Sequence, residues 1–177
     1  RDYRLLVAGA GPRSDWLRQQ GEKTAPGKIV QLGHLYKETL ANYYANADVF
    51  IHPNPREPFG IAPLEAMASG VPTVAPNAGG ILSYATNENA WLVEPTGKQF
   101  ADAIREVVSD EQLRNLKVEK ALATARENTR EASTDRLYAT YDEIYADFHS
   151  RRELFTDVEA AKEYDFVTEL LSTDPKE

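Results

Sequence analysis

Two glutamates, Glu57 and Glu65, are the residues of this sequence whose types and spacing could do chemistry. Glu57 lies in segment 53–58, where three prolines in six residues exclude regular structure. Seven residues separate it from Glu65, which lies on a helix predicted to begin near Ile61. The free N–H groups at the start of such a helix favour an anionic group such as phosphate. Since carboxylates accept hydrogen bonds from the hydroxyls of ribose or hexose, the combination describes a nucleotide-sugar site.

The elements that must position these glutamates alternate between strand and helix through the first 108 residues. A parallel sheet covered on both faces by helices, a Rossmann-like α/β fold, is typical of this alternation. The run 3–8 is expected to be a buried strand. Ligands of open α/β sheets bind at the carboxyl ends of the strands. The predicted strands cover residues 3–8, 29–32, 49–52, 71–75 and 91–93, and the predicted helices cover 14–21, 38–46, 61–69 and 100–108.

Beyond Ser109 the pattern is helical throughout. Leucines and alanines over 113–125 mark one amphipathic helix, apolar residues over 137–148 mark a second, and a weaker helix is expected over 158–171. We therefore predict a Rossmann-like domain over 1–130 and a helical extension over 131–177.

The same two regions differ in net charge. The chain has 177 residues and a formal net charge of −8. Residues 1–130 carry 15 acidic and 15 basic side chains, so the whole acidic excess lies in residues 131–177. This balance argues against a nucleic-acid binder, which needs a basic patch. The absence of cysteine excludes disulfides, thiolate zinc sites and thiol nucleophiles.

The segment from Glu57 to Pro72, EPFGIAPLEAMASGVP, resembles the E-x7-E signature of retaining glycosyltransferases of the GT-B fold, in the large family 4 group. Further blocks occur in the order of that family, over about residues 3–108. They are LLVAGAGP at 5–12, LGHL at 32–35, ADVF at 47–50, Gly79-Gly80 and WLVEP at 91–95. The resemblance implies one half of a GT-B fold, the donor-binding C-terminal half.

The resemblance also implies a role for each matching residue. Glu57, the candidate catalytic residue, would contact the transferred sugar, and Glu65 would bind the ribose hydroxyls. The main chain near Leu35 would hold the base. Neither a metal nor a cofactor is expected, because basic residues and amides stabilise the leaving diphosphate. The backbone expected to approach the sugar and diphosphate is that of Phe59, Gly60, Ile61 and Ala62.

The partners implied are a nucleotide-sugar donor, an unidentified acceptor and an N-terminal half of the same polypeptide, with no nucleic acid. The chain starts without methionine and shows neither a leader nor a transmembrane segment, so we expect a piece of a longer, cytoplasmic enzyme. A peripheral position of the intact enzyme at the membrane is left open. The fragment alone is expected to be inactive, since half of the cleft would be missing.

Other interpretations keep the fold and change the function. Nucleotide-sugar epimerases and sugar phosphorylases share the GT-B architecture, and a non-catalytic Rossmann-like module is a third alternative. His52, at a strand end, is predicted to be structural rather than catalytic. Gly79 and Gly80 fit either a plain turn or a loop that approaches the donor. The aromatic residues over 138–148 are predicted to be packing residues, some of them facing an absent partner surface.

Overall fold

The computed structural model describes residues 3–152 of the chain. These described residues belong to two compact units, which meet between Arg126 and Glu127 in the sequence. The five strands described are β1 (Leu5–Ala8), β2 (Ile29–Gly33), β3 (Phe50–Ile51), β4 (Thr73–Pro76) and β5 (Trp91–Val93). The helices described are α1 (Ser14–Thr24), α2 (Lys37–Ala45), α3 (Ile61–Ala68), α4 (Gly97–Ser109), α5 (Glu111–Glu127) and α6 (Arg130–Ser150), with a 3₁₀ turn at Gly80–Ser83.

The strands pair in parallel, as predicted, but they form two sheets within the described residues. β1 pairs with β2, with Leu5 opposite Ile29. β3, β4 and β5 form the second sheet in that order, with Ile51 opposite Val74 and Val74 opposite Trp91. Parallel neighbours require crossover connections, and α3 supplies one between β3 and β4. The α/β class with parallel strands is therefore confirmed.

Helices cover both faces of the β3–β5 sheet. Successive residues of a strand point to opposite faces, and all four residues of β4 are buried. Val74 packs in a cluster with Ala103 and Val107 of α4. Ala75 belongs to a second cluster that includes Met67 of α3 and residues of α5. This sheet therefore has the two-sided covering that the sequence predicts.

The β1–β2 sheet is different. The prediction of a buried strand over residues 3–8 is wrong, because Leu5 and Leu6 are 37% and 44% exposed and the other residues of β1 are exposed or half-buried. Val30 on β2 is exposed as well. Helix α1 has a single buried residue, Gly21, where an added Cβ would lie 3.2 Å from the side chain of Ile29. Apolar composition correctly indicates a strand here, but not its burial.

Helix α6 confirms the helical period over 137–148. Thr129 caps it, with the side-chain hydroxyl accepting a hydrogen bond from the backbone N–H of Ala132 at 3.1 Å. None of its residues is buried within the described part of the chain. Its exposed large apolar side chains are Leu137, Tyr138, Tyr141, Ile144 and Tyr145. The helix predicted over 158–171 lies outside the described residues.

No helix between residues 3 and 152 combines the length and the apolar character needed to cross a membrane.

Candidate functional site

The start of α3 is the centre of the candidate site. Gly60 occupies its N-cap with a φ of +89°, a left-handed conformation that favours glycine. Pro63 is tolerated in the first turn because the N–H groups there have no intrahelical acceptor. No side chain caps the helix, and Ile61 at its first position is 65% exposed. The amides of Ile61 and Ala62 are therefore available to an anionic group.

Glu57 lies directly before this helix start and is half-buried. Its Oε2 accepts a hydrogen bond from Asn54 Nδ2 at 2.9 Å, and the Oδ1 of the same asparagine accepts one from the backbone N–H of Arg56 at 3.0 Å. The second carboxylate oxygen of Glu57 has no hydrogen-bond partner among residues 3–152. A carboxylate held in this way can accept a hydrogen bond from a sugar hydroxyl.

The Gly79-Gly80 segment supports the loop from behind. The backbone N–H of Gly80 donates to the carbonyl oxygen of Glu57 at 2.7 Å. A Cβ added to Gly80 would overlap the carbonyl of Pro58, and one added to Gly79 would lie 2.8 Å from the carbonyl oxygen of Pro55. Only glycine allows this approach of two backbones. The two glycines thus act on the loop that holds Glu57 rather than as a plain turn.

Tyr84 joins the same arrangement from the end of the 3₁₀ turn. Its phenol O–H donates to the carbonyl oxygen of Gly60 in a short hydrogen bond. Its ring contacts that of Phe59, with the centroids 5.1 Å apart. Burial, with the charge of Glu57 adding to it, raises the pKa of Tyr84 to about 12. The phenol is therefore a permanent donor at ordinary pH.

Glu65 is exposed on α3, and its neighbour is the buried Tyr44 of α2. The phenol oxygen of Tyr44 lies 3.4 Å from Glu65 Oε2 and 3.4 Å from the carbonyl oxygen of Ala62. Burial and, second to it, the charge of Glu65 raise the pKa of Tyr44 to about 12. The contact is long for a hydrogen bond, so the Glu65 carboxylate remains open to a ligand.

His52 is buried at the end of β3. Its backbone N–H donates to the carbonyl oxygen of Val74 at 2.9 Å, and its Nε2 has no hydrogen-bond partner within residues 3–152. Burial lowers the pKa of His52, and the charge of Glu57 opposes that shift. A buried imidazole whose pKa is lowered by burial fits the structural role predicted for it.

The structure brings together most of the predicted site residues at the start of α3. The residues around the start of α3 are Glu57, Phe59, Gly60, Ile61, Ala62 and Glu65. Leu35 lies in the loop before α2, whose far end carries Tyr44. The structure records no hydrogen bond between Leu35 and that group, so its predicted contact with the base stays a prediction.

Three supporting residues were missed from the sequence, namely Tyr44, Asn54 and Tyr84. Asn54 stands between two prolines, a position from which an asparagine side chain often bonds the backbone two residues on, so its role could have been suspected. Tyr44 and Tyr84 look like ordinary core residues in sequence. No group of three histidine, cysteine, aspartate or glutamate side chains within the described part of the chain is placed to hold a metal ion.

The family model described as "Glycosyl transferases group 1" matches residues 1–125. The chain belongs to this family. The matched segment covers all five described strands and ends within α5.

Individual proteins of known sequence or structure are also similar to this chain. A GDP-mannose-dependent alpha-mannosyltransferase of Corynebacterium glutamicum is 33% identical over 148 residues, which are 82% of this chain and 34% of that enzyme. Sucrose-phosphate synthase of Thermosynechococcus elongatus has a TM-score of 0.71 at 25% identity, over 81% of this chain and 39% of the other.

HepE of Anabaena, solved in complex with UDP-glucose, has a TM-score of 0.68 at 24% identity, over 79% of this chain and 40% of the other. These likenesses establish the fold as part of the GT-B architecture and the chain as similar to its C-terminal domain. The chain spans about a third of the length of the curated relatives it matches.

Proposed function

We propose that this chain is the donor-binding half of a retaining glycosyltransferase, which transfers a hexose from a nucleotide diphosphate sugar to an acceptor. One observation carries the proposal. The uncapped start of α3 has Glu57 in the loop before it and Glu65 in its second turn, and Asn54, Gly80 and Tyr84 hold the loop. An anion-binding helix start beside two carboxylates suits a diphosphate joined to two polyols.

Each group would then have one task. The amides of Ile61 and Ala62 would donate to the diphosphate and, with the dipole of α3, stabilise the charge that develops on it as it leaves. Glu57 would accept a hydrogen bond from a hydroxyl of the transferred hexose, and Glu65 would accept hydrogen bonds from the ribose hydroxyls. The proposal requires no metal ion and no cofactor.

Known proteins support the donor class. The mannosyltransferase of Corynebacterium glutamicum is dependent on GDP-mannose, and the HepE structure contains UDP-glucose. Both donors are nucleotide diphosphate hexoses. We propose the same class of donor for this chain. The base and the sugar are to be identified by the binding measurements below.

Calorimetry of the chain with UDP, GDP, ADP, UDP-glucose and GDP-mannose tests the proposal. We expect one diphosphate to bind, and its sugar form to bind with a dissociation constant that Glu57→Gln raises. Glu65→Gln should weaken both forms about tenfold, the cost of one hydrogen bond to a charged group. Glu119→Gln, an exposed position on α5, is the matched control and should bind as the unchanged chain does.

Three outcomes would replace the proposal. Failure of the folded chain to bind any of these ligands supports a non-catalytic module. Conversion of the donor by the full-length enzyme without acceptor supports an epimerase, and a requirement for inorganic phosphate supports a phosphorylase. Separately, acceptor-dependent sugar transfer by these 177 residues alone would overturn the expectation that the isolated half does not turn over.

A further inference from the structure

Tyr84 is a buried residue that follows Gly60 by 24 positions in the sequence. Its phenol donates a hydrogen bond to the Gly60 carbonyl. We propose that Tyr84 is a positioning residue of the donor site: by holding the Gly60 carbonyl, it orients the backbone N–H of Ile61 towards the donor diphosphate. This inference rests on the proposed function. In this arrangement a side chain outside the E-x7-E segment, that of Tyr84, controls the direction of one backbone amide inside it, that of Ile61.

Peptide geometry links the two groups. The carbonyl of Gly60 and the N–H of Ile61 belong to one peptide unit, and no cis peptide bond occurs in the described chain. In a planar trans peptide the C=O and the N–H point in opposite directions. A hydrogen bond that holds the carbonyl towards Tyr84 therefore aims the N–H of Ile61 away from it, out of the N-terminal end of α3.

This peptide needs to be held because its neighbours restrain it weakly. Gly60 has no Cβ and a φ of +89°, so rotation of the following peptide meets little steric resistance. Pro63 contributes no N–H to the first turn, and no side chain caps α3. The Gly60 carbonyl also begins the helical hydrogen bonds, but a terminal turn frays. The phenol of Tyr84 supplies a bond from a different part of the fold.

Tyr84 is itself well fixed. Its ring contacts Phe59, and its own carbonyl oxygen accepts a hydrogen bond at 3.0 Å from the side-chain amide of the buried Asn89. The same amide donates to Thr124 Oγ1 of α5 at 2.9 Å. Because its pKa is raised to about 12, the phenol keeps its proton at any pH at which the donor would be bound. Donation to a carbonyl also polarises the peptide and strengthens its N–H as a donor.

The first test needs no ligand. In the ¹⁵N-labelled chain, backbone relaxation reports the order of the Ile61 amide. Tyr84→Phe removes the O–H and keeps the ring against Phe59. We expect the Ile61 order parameter to fall, because the hydrogen bond that holds the Gly60 carbonyl is lost. An Ile61 amide that is unchanged in Tyr84→Phe overturns the inference.

Tyr44→Phe is the matched control in this experiment. Tyr44 is buried to the same 8% exposure as Tyr84, and its pKa is also raised to about 12. Its phenol lies against the carbonyl of Ala62, inside the helix, so Ile61 should keep its order. Equal loosening of Ile61 in both variants would mean that any buried phenol merely stabilises the fold, and the positioning role would fall.

The second test measures binding of UDP-glucose and GDP-mannose. Tyr84→Phe should bind the accepted donor about tenfold more weakly, with its melting temperature checked alongside. Equal affinity in the unchanged chain and in Tyr84→Phe overturns the inference and leaves the proposed function standing. If neither chain binds either donor or its free diphosphate, the proposed function fails, and the order of the ligand-free Ile61 amide still decides whether Tyr84 holds the peptide.

Discussion

The two parallel sheets within residues 3–152 have strands of apolar composition but differ in how far those strands are buried. β1, with the sequence Leu-Leu-Val-Ala, is exposed or half-buried at every position, whereas all four residues of β4, Thr-Val-Ala-Pro, are buried. Helices α3, α4 and α5 contribute to the clusters around β4, and α1 buries only Gly21. Apolar composition thus determines that a strand forms, and the elements packed on it determine whether it is core.

The candidate site follows the same division. The loop and helix that hold Glu57 and Glu65 connect β3 to β4, inside the well-packed region. Leu35, in the β2–α2 loop, comes from the exposed sheet. Substitutions of matched type in the two regions should therefore differ in their effect on stability.

Gly80→Ala should have the largest effect on stability. Its Cβ would meet the carbonyl of Pro58, a backbone atom that cannot move without displacing the loop. We expect the free energy of unfolding, measured in urea, to fall by about 3 kcal/mol or more. Gly11→Ala is the control in the exposed region, because a Cβ there meets nothing within 4 Å. A loss at Gly11 equal to that at Gly80 would contradict the comparison.

Core truncation should distinguish the two sheets next. Val74→Ala removes two methyl groups from a fully buried position and should cost about 2 kcal/mol in urea unfolding. Leu6→Ala removes more carbon from β1, yet it should cost less than about 1 kcal/mol because the side chain is exposed. If Leu6→Ala proves the costlier change, β1 is covered in solution.

The buried tyrosines predict a loss of stability in alkali. The pKa values of Tyr44 and Tyr84 are raised from 10.0 to about 12, so the folded state keeps protons that the unfolded chain releases. Their contribution is complete below pH 10 and is lost as the pH rises from 10 through 12. The free energy of unfolding should fall by up to about 1.4 kcal/mol per pH unit for each phenol.

Urea unfolding between about pH 8 and about pH 11 measures this slope. The double variant Tyr44→Phe/Tyr84→Phe keeps both rings. It should flatten the slope, because it lacks the two phenols whose pKa values are raised on folding. An unchanged slope in the double variant would show that these two phenols do not cause it.

Helix capping should give the smallest difference. Thr96 caps α4, its Oγ1 accepting from the backbone N–H of Gln99 at 3.3 Å. Thr96→Ala should cost about 1 kcal/mol in thermal unfolding. Arg13 occupies the N-cap of α1 without a side-chain cap bond, so Arg13→Ala should leave stability within about 0.5 kcal/mol. Equal losses of stability in Thr96→Ala and Arg13→Ala would show that capping does not distinguish the two regions.

Much of the fold was predictable from local pattern. Helical period located α4, α5 and α6, and the turn residues around the strands located the loops. α4 begins three residues earlier than predicted, at Gly97, because the hydroxyl of Thr96 caps it before the apolar pattern begins. The division into two sheets and the exposure of Leu5 and Leu6 depend on long-range packing, which a strand's own residues do not encode.

The position of the candidate site was predictable from the sequence, and the residues that support it were not. Glu57, Glu65 and the amides between them follow from a short motif that local sequence contains. Tyr84 reaches Gly60 from 24 positions away, and its spacing resembles that of any core tyrosine. Contacts of this kind become visible only when the chain is folded.

The close approach of Gly80 to Pro58 affects how sequence variation in this protein should be interpreted. A library randomised at position 80 and selected for donor binding would return glycine almost alone. A survey of variants would then score that position as part of the binding chemistry. The selection for glycine would instead reflect the small space between two backbones. A deletion that shortens the loop before Pro58 could make room for other residues at position 80.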